Sequence, residues 1–496
     1  MSSLSETLLL RVDSGGRWGV DKLLRCVALA QAWQDSGGRA VVLSAAQAPQ
    51  VEACLAAQNV ELLSLAHRPG SPADAQQTVR VAETCHAACL VADGSEFRGA
   101  YQRTIKQAGL RLMVFDDGGS DHFWADFVLN PRLGAEPSAY SCEPSSRLLL
   151  GPRYVLLRRE FLRWRDWQRT IPAVARRVLV SFDAAAYPAA ALRIVEVLGQ
   201  AAIEDLEVVL IGLPDRAQSV QLEDAARGYS IRLQVRPNAA RMPALLTQAD
   251  AVVGAADLSC YEQLFMGMPS LLIPLEADQQ ARAAELAAHG AAVNLGPPER
   301  LDVADAVREL LRSPARREAM LGACRRLIDG YGAVRACMHL RGEKLWLRKT
   351  TMDDAEQLWK WANDPDVRAN SFSHEPIQWH SHLRWLANKL ADPNAFPFVA
   401  FDETDAPIGR LRFDTRGQQA KVSLAIGKEH RGAGYGSALL KLALSQLFRH
   451  TTVRQVHAFI RPANVVSIRL FERAGFQRLG IETIAGSDGL HYVKRA

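Results

Sequence analysis

Short apolar runs alternate with helically spaced stretches over the first two thirds of the chain. The first run, residues 7–13, is followed by a helical pattern over residues 23–33. The other runs that predict buried strands here are residues 39–45, 88–93, 111–117, 177–183, 206–212, 231–235, 249–254 and 270–275. Such alternation predicts parallel sheets covered by helices on both faces. Because the pattern restarts, we expect two doubly wound, Rossmann-like domains, residues 1–165 and residues 166–340, that face a ligand cleft.

A different pattern begins near residue 345. The strands predicted there are residues 345–348, 396–401, 408–413, 422–426 and 456–460, and the helices are residues 353–361, 437–448 and 465–474. The second and third of these strands look antiparallel, unlike those of the first two domains. We therefore expect a third α/β domain over residues 345–496.

Composition sets the class of protein. At roughly 150 residues per domain, 496 residues predict about three domains. The 48% hydrophobic and 23% charged content is that of a globular protein, and a net charge of +5 gives no support for binding nucleic acid or a membrane surface. No uncharged apolar run reaches the ~18 residues of a membrane span, and the first twelve residues lack the basic start of a signal peptide.

Cysteine usage fits the same picture. Eight cysteines are spread along the chain with no CxxC pair and no second Cys/His cluster. Buried free thiols in a reducing compartment are the expected state, and no metal site is predicted. We therefore expect a cytoplasmic protein.

A glycine-rich loop stands out in the third domain. The sequence Arg431-Gly432-Ala433-Gly434-Tyr435-Gly436 lies between a predicted strand and a predicted helix. Glycines let backbone approach a ligand closely, and the N–H groups at a helix N-terminus bind phosphate. About thirty residues later a second helix is opened by Asn464 and Ser467, contains Phe471 and is closed by Gly475.

These motifs resemble the acetyl-CoA-binding motifs of the GNAT N-acetyltransferases, over about residues 345–496. The resemblance implies a sheet splayed between two strands, with the pantetheine in the splay and the pyrophosphate on the glycine loop. The cofactor-binding residues that it implies are Arg431, Gly432, Ala433, Gly434, Tyr435, Gly436, Ser437, Asn464, Ser467 and Phe471. The string from Trp361 to Arg368 is similar to the subgroup that acts on ribosomal-protein termini and on nucleotide-linked amino sugars.

The resemblance also frames the chemistry, in which an amine attacks the thioester directly. The family often has a Tyr acid where this chain has Phe471, which has no proton to give and is expected to pack in the core. The strand at residues 422–426 has no acidic residue. Glu429, His430 and His457 are the candidate bases, and Ser467 is a further candidate for the catalytic site.

Strings in residues 1–335 resemble the UDP-sugar hydrolases of pseudaminic acid biosynthesis, whose fold is of the glycosyltransferase-B type. The longest runs from Leu149 to Phe161, and the chain ends this region with Ile328-Asp329-Gly330-Tyr331-Gly332. Residues that the resemblance places in a substrate cleft are Arg11, Asp13, Arg25, Glu262 and Gln279.

The catalytic positions of that family are changed. Lys22 stands where the family has its catalytic His, and a lysine ammonium has no lone pair to accept a proton. Asp257 brings a negative charge into the expected phosphate turn, the reverse of what a diphosphate needs. Asp183-Ala184 replaces a Gly-Gly, and Gly94-Ser95 replaces a His-Tyr. A hydrolase that no longer works is expected, and the rival interpretation is that Lys22 and Asp257 serve a changed chemistry.

Three functions stay open at this point. The first is acetyl-CoA-dependent N-acetylation of a UDP-linked 4-amino sugar on the way to pseudaminic or a related nonulosonic acid. The second is a bifunctional acetyltransferase and UDP-sugar hydrolase. The third is a non-catalytic binding or scaffold protein that recruits flagellin-glycosylation partners. A homo-oligomer is left open, and no nucleic-acid or membrane partner is expected.

Overall fold

The computed structural model describes residues 6–13, 19–45, 49–118, 121–212, 215–236, 242–300 and 303–496. The chain forms two compact units, Met1–Cys337 and Met338–Ala496. In the described part of the chain, no helix is long and apolar enough to cross a membrane.

The first unit begins with a seven-stranded parallel sheet in the order β3-β2-β1-β4-β5-β7-β9, and β6 and β8 pair separately. Its strands are β1 (Thr7–Val12), β2 (Arg39–Ser44), β3 (Glu61–Ser64), β4 (Ala87–Asp93), β5 (Arg111–Phe115), β6 (His122–Phe123), β7 (Phe127–Asn130), β8 (Ser141–Cys142) and β9 (Arg147–Leu150). Its helices are α1 (Gly19–Asp35), α2 (Pro49–Ala57), α3 (Pro72–Thr84), α4 (Ala100–Gln107) and α5 (Arg159–Leu162). All six residues of β1 are buried, as expected for a strand covered by helices on both faces.

The same unit continues with a six-stranded parallel sheet in the order β12-β11-β10-β13-β14-β15. Its strands are β10 (Arg177–Ser181), β11 (Glu207–Ile211), β12 (Arg232–Arg236), β13 (Ala251–Ala255), β14 (Ser270–Ile273) and β15 (Val293–Asn294). The helices are α6 (Pro188–Gln200), α7 (Arg216–Gly228), α8 (Met242–Gln248), α9 (Cys260–Phe265), α10 (Gln279–Ala288), α11 (Ala304–Arg312), α12 (Pro314–Leu327) and α13 (Gly332–Arg341). Each order turns back beside its first strand, which confirms the prediction of two doubly wound sheets.

The second unit contains a mixed seven-stranded sheet in the order β16-β17-β18-β19-β20-β22-β21. Its strands are β16 (Trp346–Lys349), β17 (Ala395–Phe401), β18 (Pro407–Arg416), β19 (Gln419–Ile426), β20 (Gln455–Ile460), β21 (Gln477–Ile484) and β22 (Ser487–Arg495). Its helices are α14 (Ala355–Ala362), α15 (Pro365–Ala369), α16 (Trp379–Ala391), α17 (Tyr435–His450) and α18 (Val465–Arg473). Only β19 and β20 pair in parallel.

The two faces of this sheet have different partners. Alternate residues of β20, including Val456 and Ala458, join a core with α17 and α18. The opposite face carries Val399 of β17, which clusters with Trp361 of α14 and Leu386 of α16. We call this second face the α14–α16 face. Alternation along the strands therefore decides which side chains can line a site on each side.

Candidate functional site

The sheet of the second unit opens between β19 and β20. These strands pair over only three residues each, and the last pair joins Lys421 to His457. Beyond it, residues 422–426 of β19 and residues 458–460 of β20 are not paired with each other. Backbone groups inside a sheet need partners, so the gap can accept a ligand that hydrogen-bonds like a strand.

The glycine loop lies where β19 ends. Gly432 and Gly434 have φ values of 83° and 84°, which residues with a side chain rarely adopt. A Cβ at Gly432 would meet nothing within 4 Å. The first helical bond of α17 joins the N–H of Ala438 to the carbonyl of Gly434 at 3.3 Å. The amides of residues 434–437 therefore precede the helical hydrogen bonds, and the N-cap has no side chain to receive them.

Two cationic side chains lie at this loop. They differ in whether a carboxylate pairs with them. The guanidinium of Arg431 is held by Asp364 at 2.8 Å and by Asp366 at 2.7 Å. Burial opposes the effect, but Arg431 lowers the pKa of Asp364. Lys344, by contrast, donates to the carbonyl of Ala433 at 3.3 Å, and in the described part of the chain it pairs with no acidic side chain. The sequence interpretation missed Lys344, because 89 residues separate it from its partner.

The second motif is placed against the loop by its helix. Asn464 caps α18 by accepting the N–H of Ser467 at 3.1 Å. A Cβ at Gly436 would lie 3.5 Å from Leu470 of α18, so the two helices meet at the loop. Phe471 is 5% exposed and packs edge-on against Phe476. The motif residues therefore shape the cofactor end of the gap, and Phe471 is a core residue.

Three titratable side chains form a hydrogen-bonded chain at the closed end of the gap. Nδ1 of His457 lies 2.8 Å from Nε2 of His491, and Nδ1 of His491 lies 2.5 Å from Glu482. Among the described residues, the Nε2 atom of His457 is buried without a hydrogen-bond partner. Burial and then His491 lower the pKa of His457, whereas Glu482 raises it.

The four residues predicted as catalytic candidates, Glu429, His430, His457 and Ser467, do not form one cluster. Lys421, opposite His457, precedes the end of β19 by five residues, about 16 Å at 3.3 Å per residue. Glu429 lies in the turn after that end and is exposed, and the ring of His430 contacts Tyr435. Glu429 and Ser467 thus belong to the cofactor end, and His457 belongs to the closed end. His491 and Glu482 were missed because they reach His457 through the pairing of β20 with β22 and of β22 with β21.

A loop closes the α14–α16 face near the open end of β20. Arg461 donates to the carbonyl of Ser371 at 3.2 Å and contacts the ring of His374. A Cβ at Gly489 would lie 2.9 Å from Phe372. The segment that carries Ser371, Phe372 and His374 therefore meets the β21–β22 hairpin.

In the first unit, the charged residues predicted for the cleft have partners of opposite charge within the unit. Arg25 donates to Asp93 at 2.5 Å and to Asp117 at 3.0 Å. Arg11 pairs with Asp74 at 3.2 Å and with Asp13 at 2.5 Å. Burial raises the pKa of Asp93, whereas that of Asp117 is lowered by Arg25 against the effect of burial.

The cavity at this point is small. Lys22 lines a space of about 150 Å³ together with Arg25, Asp93 and Asp117. The side chains of residues 19–21, which precede Lys22 in the altered motif, lie outside the described residues. A cluster of His, Cys, Asp or Glu that could hold a metal is not found where the structure is described.

The remaining positions that were singled out in this unit also form hydrogen bonds within it. Glu262 receives two bonds from Arg158, at 2.8 and 2.9 Å. Gln279 accepts the N–H of Leu275 at 3.0 Å. Asp257 accepts the N–H and the hydroxyl of Ser259 at 2.9 and 2.6 Å, and burial raises its pKa. The altered turn is thus closed by its own aspartate.

Two protein-family models match this chain, one in each unit. Residues 344–477 match the family described as acetyltransferase (GNAT) domain. Residues 182–325 match the family described as glycosyltransferase family 28 C-terminal domain. Fold and site together define an N-acetyltransferase that carries a glycosyltransferase-like doubly wound unit.

Three relatives span different parts of the chain. An uncharacterized protein of Methanocaldococcus jannaschii is 20% identical over 391 residues, 76% of this chain and 79% of that protein. The spore coat polysaccharide biosynthesis protein SpsG of Bacillus subtilis is 25% identical over 232 residues, 45% of this chain and 67% of SpsG. The acetyltransferase YwnH of Bacillus subtilis is 31% identical over 125 residues, 24% of this chain and 75% of YwnH. Through residues 344–477 the chain belongs to the GNAT acetyltransferase family, and its cofactor is acetyl-CoA.

The described residues fit that cofactor. The amides of residues 434–437 suit a diphosphate, because a helix N-terminus carries partial positive charge. Lys344 adds a full positive charge beside the same loop. The unpaired edges of β19 and β20 suit the amides of a pantetheine arm.

Proposed function

We propose that the protein transfers the acetyl group of acetyl-CoA to the amino group of a UDP-linked 4-amino sugar. The observation that carries the transfer is the gap between β19 and β20, with open amides at one end and an unpartnered His457 nitrogen at the other. The sugar acceptor is supported by the glycosyltransferase-like match in the first unit and by SpsG, whose name places it in polysaccharide biosynthesis.

His457 is the proposed general base. With Glu482 ionised, the chain is satisfied when His491 donates to Glu482 and His457 donates from Nδ1 to Nε2 of His491. This arrangement leaves a lone pair on Nε2 of His457, and the lowered pKa of His457 keeps that nitrogen unprotonated at neutral pH.

The proton inventory of the step then closes. The cofactor supplies an acetyl group activated as a thioester. His457 takes one proton from the acceptor ammonium, and the charge that appears on it is stabilised through His491 by Glu482. The freed nitrogen lone pair attacks the thioester carbon, and the carbon–sulfur bond breaks with its electron pair on sulfur. The nitrogen then loses its second proton to solvent, which leaves the neutral amide. Phe471 has no proton to give, so the thiolate leaves without help from that position.

The first unit is proposed to keep the shape of a UDP-sugar hydrolase without its activity. Its candidate ligands are held by other side chains of the unit, as Arg25 is by Asp93 and Glu262 is by Arg158. Lys22 stands where that family has its catalytic His. We propose that such a unit binds or delivers a nucleotide sugar and that the enzyme serves nonulosonic acid biosynthesis, in which acetylation comes immediately before hydrolysis.

The test is a free-thiol assay on the full chain with acetyl-CoA and a UDP-linked 4-amino sugar. We expect thiol release that depends on the sugar and that is lost in His457→Gln. The control is the same sugar with the 4-amino group already acetylated, which should release none. Folded protein that binds acetyl-CoA but releases no thiol with the amino sugar contradicts the proposed acceptor.

A further inference from the structure

One arginine on the α14–α16 face has no partner. Arg410 lies on β18, in register with Val399 of β17 and Ala425 of β19. Within the described ranges its side chain makes no hydrogen bond or ion pair, and its Nε atom is buried. A buried polar group without a partner is costly, and a charged one more so. The contacts within the protein therefore do not explain why a charged side chain occupies this position.

A second guanidinium lies close to it and also keeps its charge. Arg368 of α15 donates to the carbonyls of Ser373 and Glu375 and to the hydroxyl of Ser371, at 3.2, 3.3 and 3.2 Å. Each of these oxygens is neutral, and Nε of Arg368 is buried without a partner. Two cations thus share this position without a carboxylate between them.

The electrostatics show that the two charges disfavour each other. Burial, then Arg412 and then Arg368 lower the pKa of Arg410 to about 10. Burial lowers the pKa of Arg368 as well. An anion bound here would gain from both cations and would relieve their repulsion.

Arg412, the next arginine on the same face of β18, has partners for its charge and for its planar guanidinium. Nε of Arg412 donates to Asp414 at 2.8 Å, and its guanidinium stacks over Trp385 at 5.0 Å. Arg412 therefore has both a counter-charge and a packing partner, whereas Arg410 has neither. The difference makes Arg412 a matched control.

The location assigns the anion to the acceptor rather than to the cofactor. Ala425, beside Arg410, lies four residues along β19 from Lys421, the residue opposite His457, about 13 Å at 3.3 Å per residue. Arg410 and His457 lie on the same face of the sheet. The apolar side of α17, whose N-terminus suits the cofactor diphosphate, packs on the opposite face.

We propose that Arg410 and Arg368 form an anion subsite of the acceptor pocket, which binds a phosphate or diphosphate carried by the amine substrate. The proposal rests on the proposed acetyl transfer and narrows its substrate class to anionic amines. It also predicts that polycationic amines are poor acceptors, because they would meet two unneutralised guanidinium groups.

The kinetic test compares two acceptors that share the same amine: the UDP-linked 4-amino sugar and its methyl glycoside, which lacks the diphosphate. Loss of a charge-assisted hydrogen bond predicts that Arg410→Gln raises KM for the UDP-linked sugar by about 10- to 100-fold. KM for acetyl-CoA and the kinetics with the methyl glycoside should stay as in the parent, and Arg412→Gln should leave the ratio of the two acceptors unchanged. Equal losses on both acceptors, or a raised KM for acetyl-CoA, would overturn the assignment.

A binding measurement separates this proposal from the acetyl transfer. Calorimetric titration of the full chain with UDP needs no turnover. Heat that is weakened in Arg410→Gln and kept in Arg412→Gln supports the subsite even if no amine is acetylated. Identical heats in the parent and both variants overturn it. The melting temperature of Arg410→Gln should not fall, because the change removes an unpaired charge.

Discussion

The polar groups of the two units differ in whether other groups of the protein pair with them. In the first unit, the charged residues at the ends of the strands are neutralised by one another, as Arg25 is by Asp93 and Asp117. In the second unit, the amides of residues 434–437, the Nε2 atom of His457 and the guanidinium of Arg410 are left for a ligand. Both units have a fold that binds nucleotides elsewhere, so the fold alone does not separate them.

The difference teaches that hydrogen-bonding groups left without a partner indicate function better than residue type does. Arg25 and Glu262 are residue types expected in a substrate cleft, yet their charges hold the first unit together. Glycines of the loop carry no functional group at all, yet they expose the donors that a diphosphate needs. Changes in the two units should therefore affect different properties.

The largest effect is expected at the proposed base. His457→Gln removes the lone pair that accepts the ammonium proton, so kcat should fall by about 100- to 10,000-fold. Acetyl-CoA affinity should be unchanged, because the cofactor amides lie at the other end of the gap. Steady-state thiol release and calorimetry measure the two quantities. The control His289→Gln changes an exposed histidine of the first unit and should alter neither. A normal kcat in His457→Gln would exclude this histidine as the base.

In the first unit, the expected effect is on stability rather than on activity. Glu262→Gln leaves Arg158 without its buried counter-charge, which should lower the free energy of unfolding by about 3 kcal/mol. Glu160→Gln removes the exposed partner of the same arginine and should cost less than about 1 kcal/mol. Thermal unfolding of the full chain measures both, and acetyl-CoA affinity should stay constant. Equal losses in the two variants would contradict a structural role for the buried pair.

The glycine loop offers a test at constant backbone strain. Gly434→Val places a branched side chain at positive φ where the cofactor amides begin, and acetyl-CoA affinity should fall by about tenfold or more. Gly417→Val imposes similar strain in the β18–β19 turn, at φ 59° with open space around it. Both variants should lose stability, but only the first should lose affinity by calorimetry. Equal affinity in the two would place the diphosphate elsewhere.

The smallest expected effect is a shift in pH dependence. His457 must be unprotonated to act, so kcat/KM should fall as pH drops through its pKa. Glu482 raises that pKa, so Glu482→Gln should lower it further and move the acid limb to lower pH. A pH profile measured with one acceptor for both proteins isolates the shift from the titration of the amine. Movement of the limb to higher pH would contradict the hydrogen-bonded chain.

Much of the fold follows from local patterns. The mostly apolar run of β1 and the glycine loop before α17 are visible in a few residues, which is why both doubly wound sheets and the glycine loop could be predicted. Helix α16 and the β21–β22 hairpin were not assigned from sequence. Their polar faces hide the periodicity on which such predictions rest.

Sequence could predict only those site residues that lie in one short motif. His457 was named, but its partners His491 and Glu482 come from a hairpin whose register is interrupted between Arg478 and Gly480. Arg431 stays a predicted cofactor residue, and Asp364 and Asp366, which hold its guanidinium, were not named as its partners from sequence. Pairings over such separations depend on tertiary structure, so no local motif could reveal them.

The contrast between the two units can be tested in one measurement. The full chain is incubated with acetyl-CoA and the UDP-linked 4-amino sugar, and the products are identified by mass spectrometry. We predict a sugar that has gained one acetyl group and still carries its diphosphate linkage to uridine. Free UDP together with a released sugar would contradict the account, because it would show that the first unit still hydrolyses its substrate.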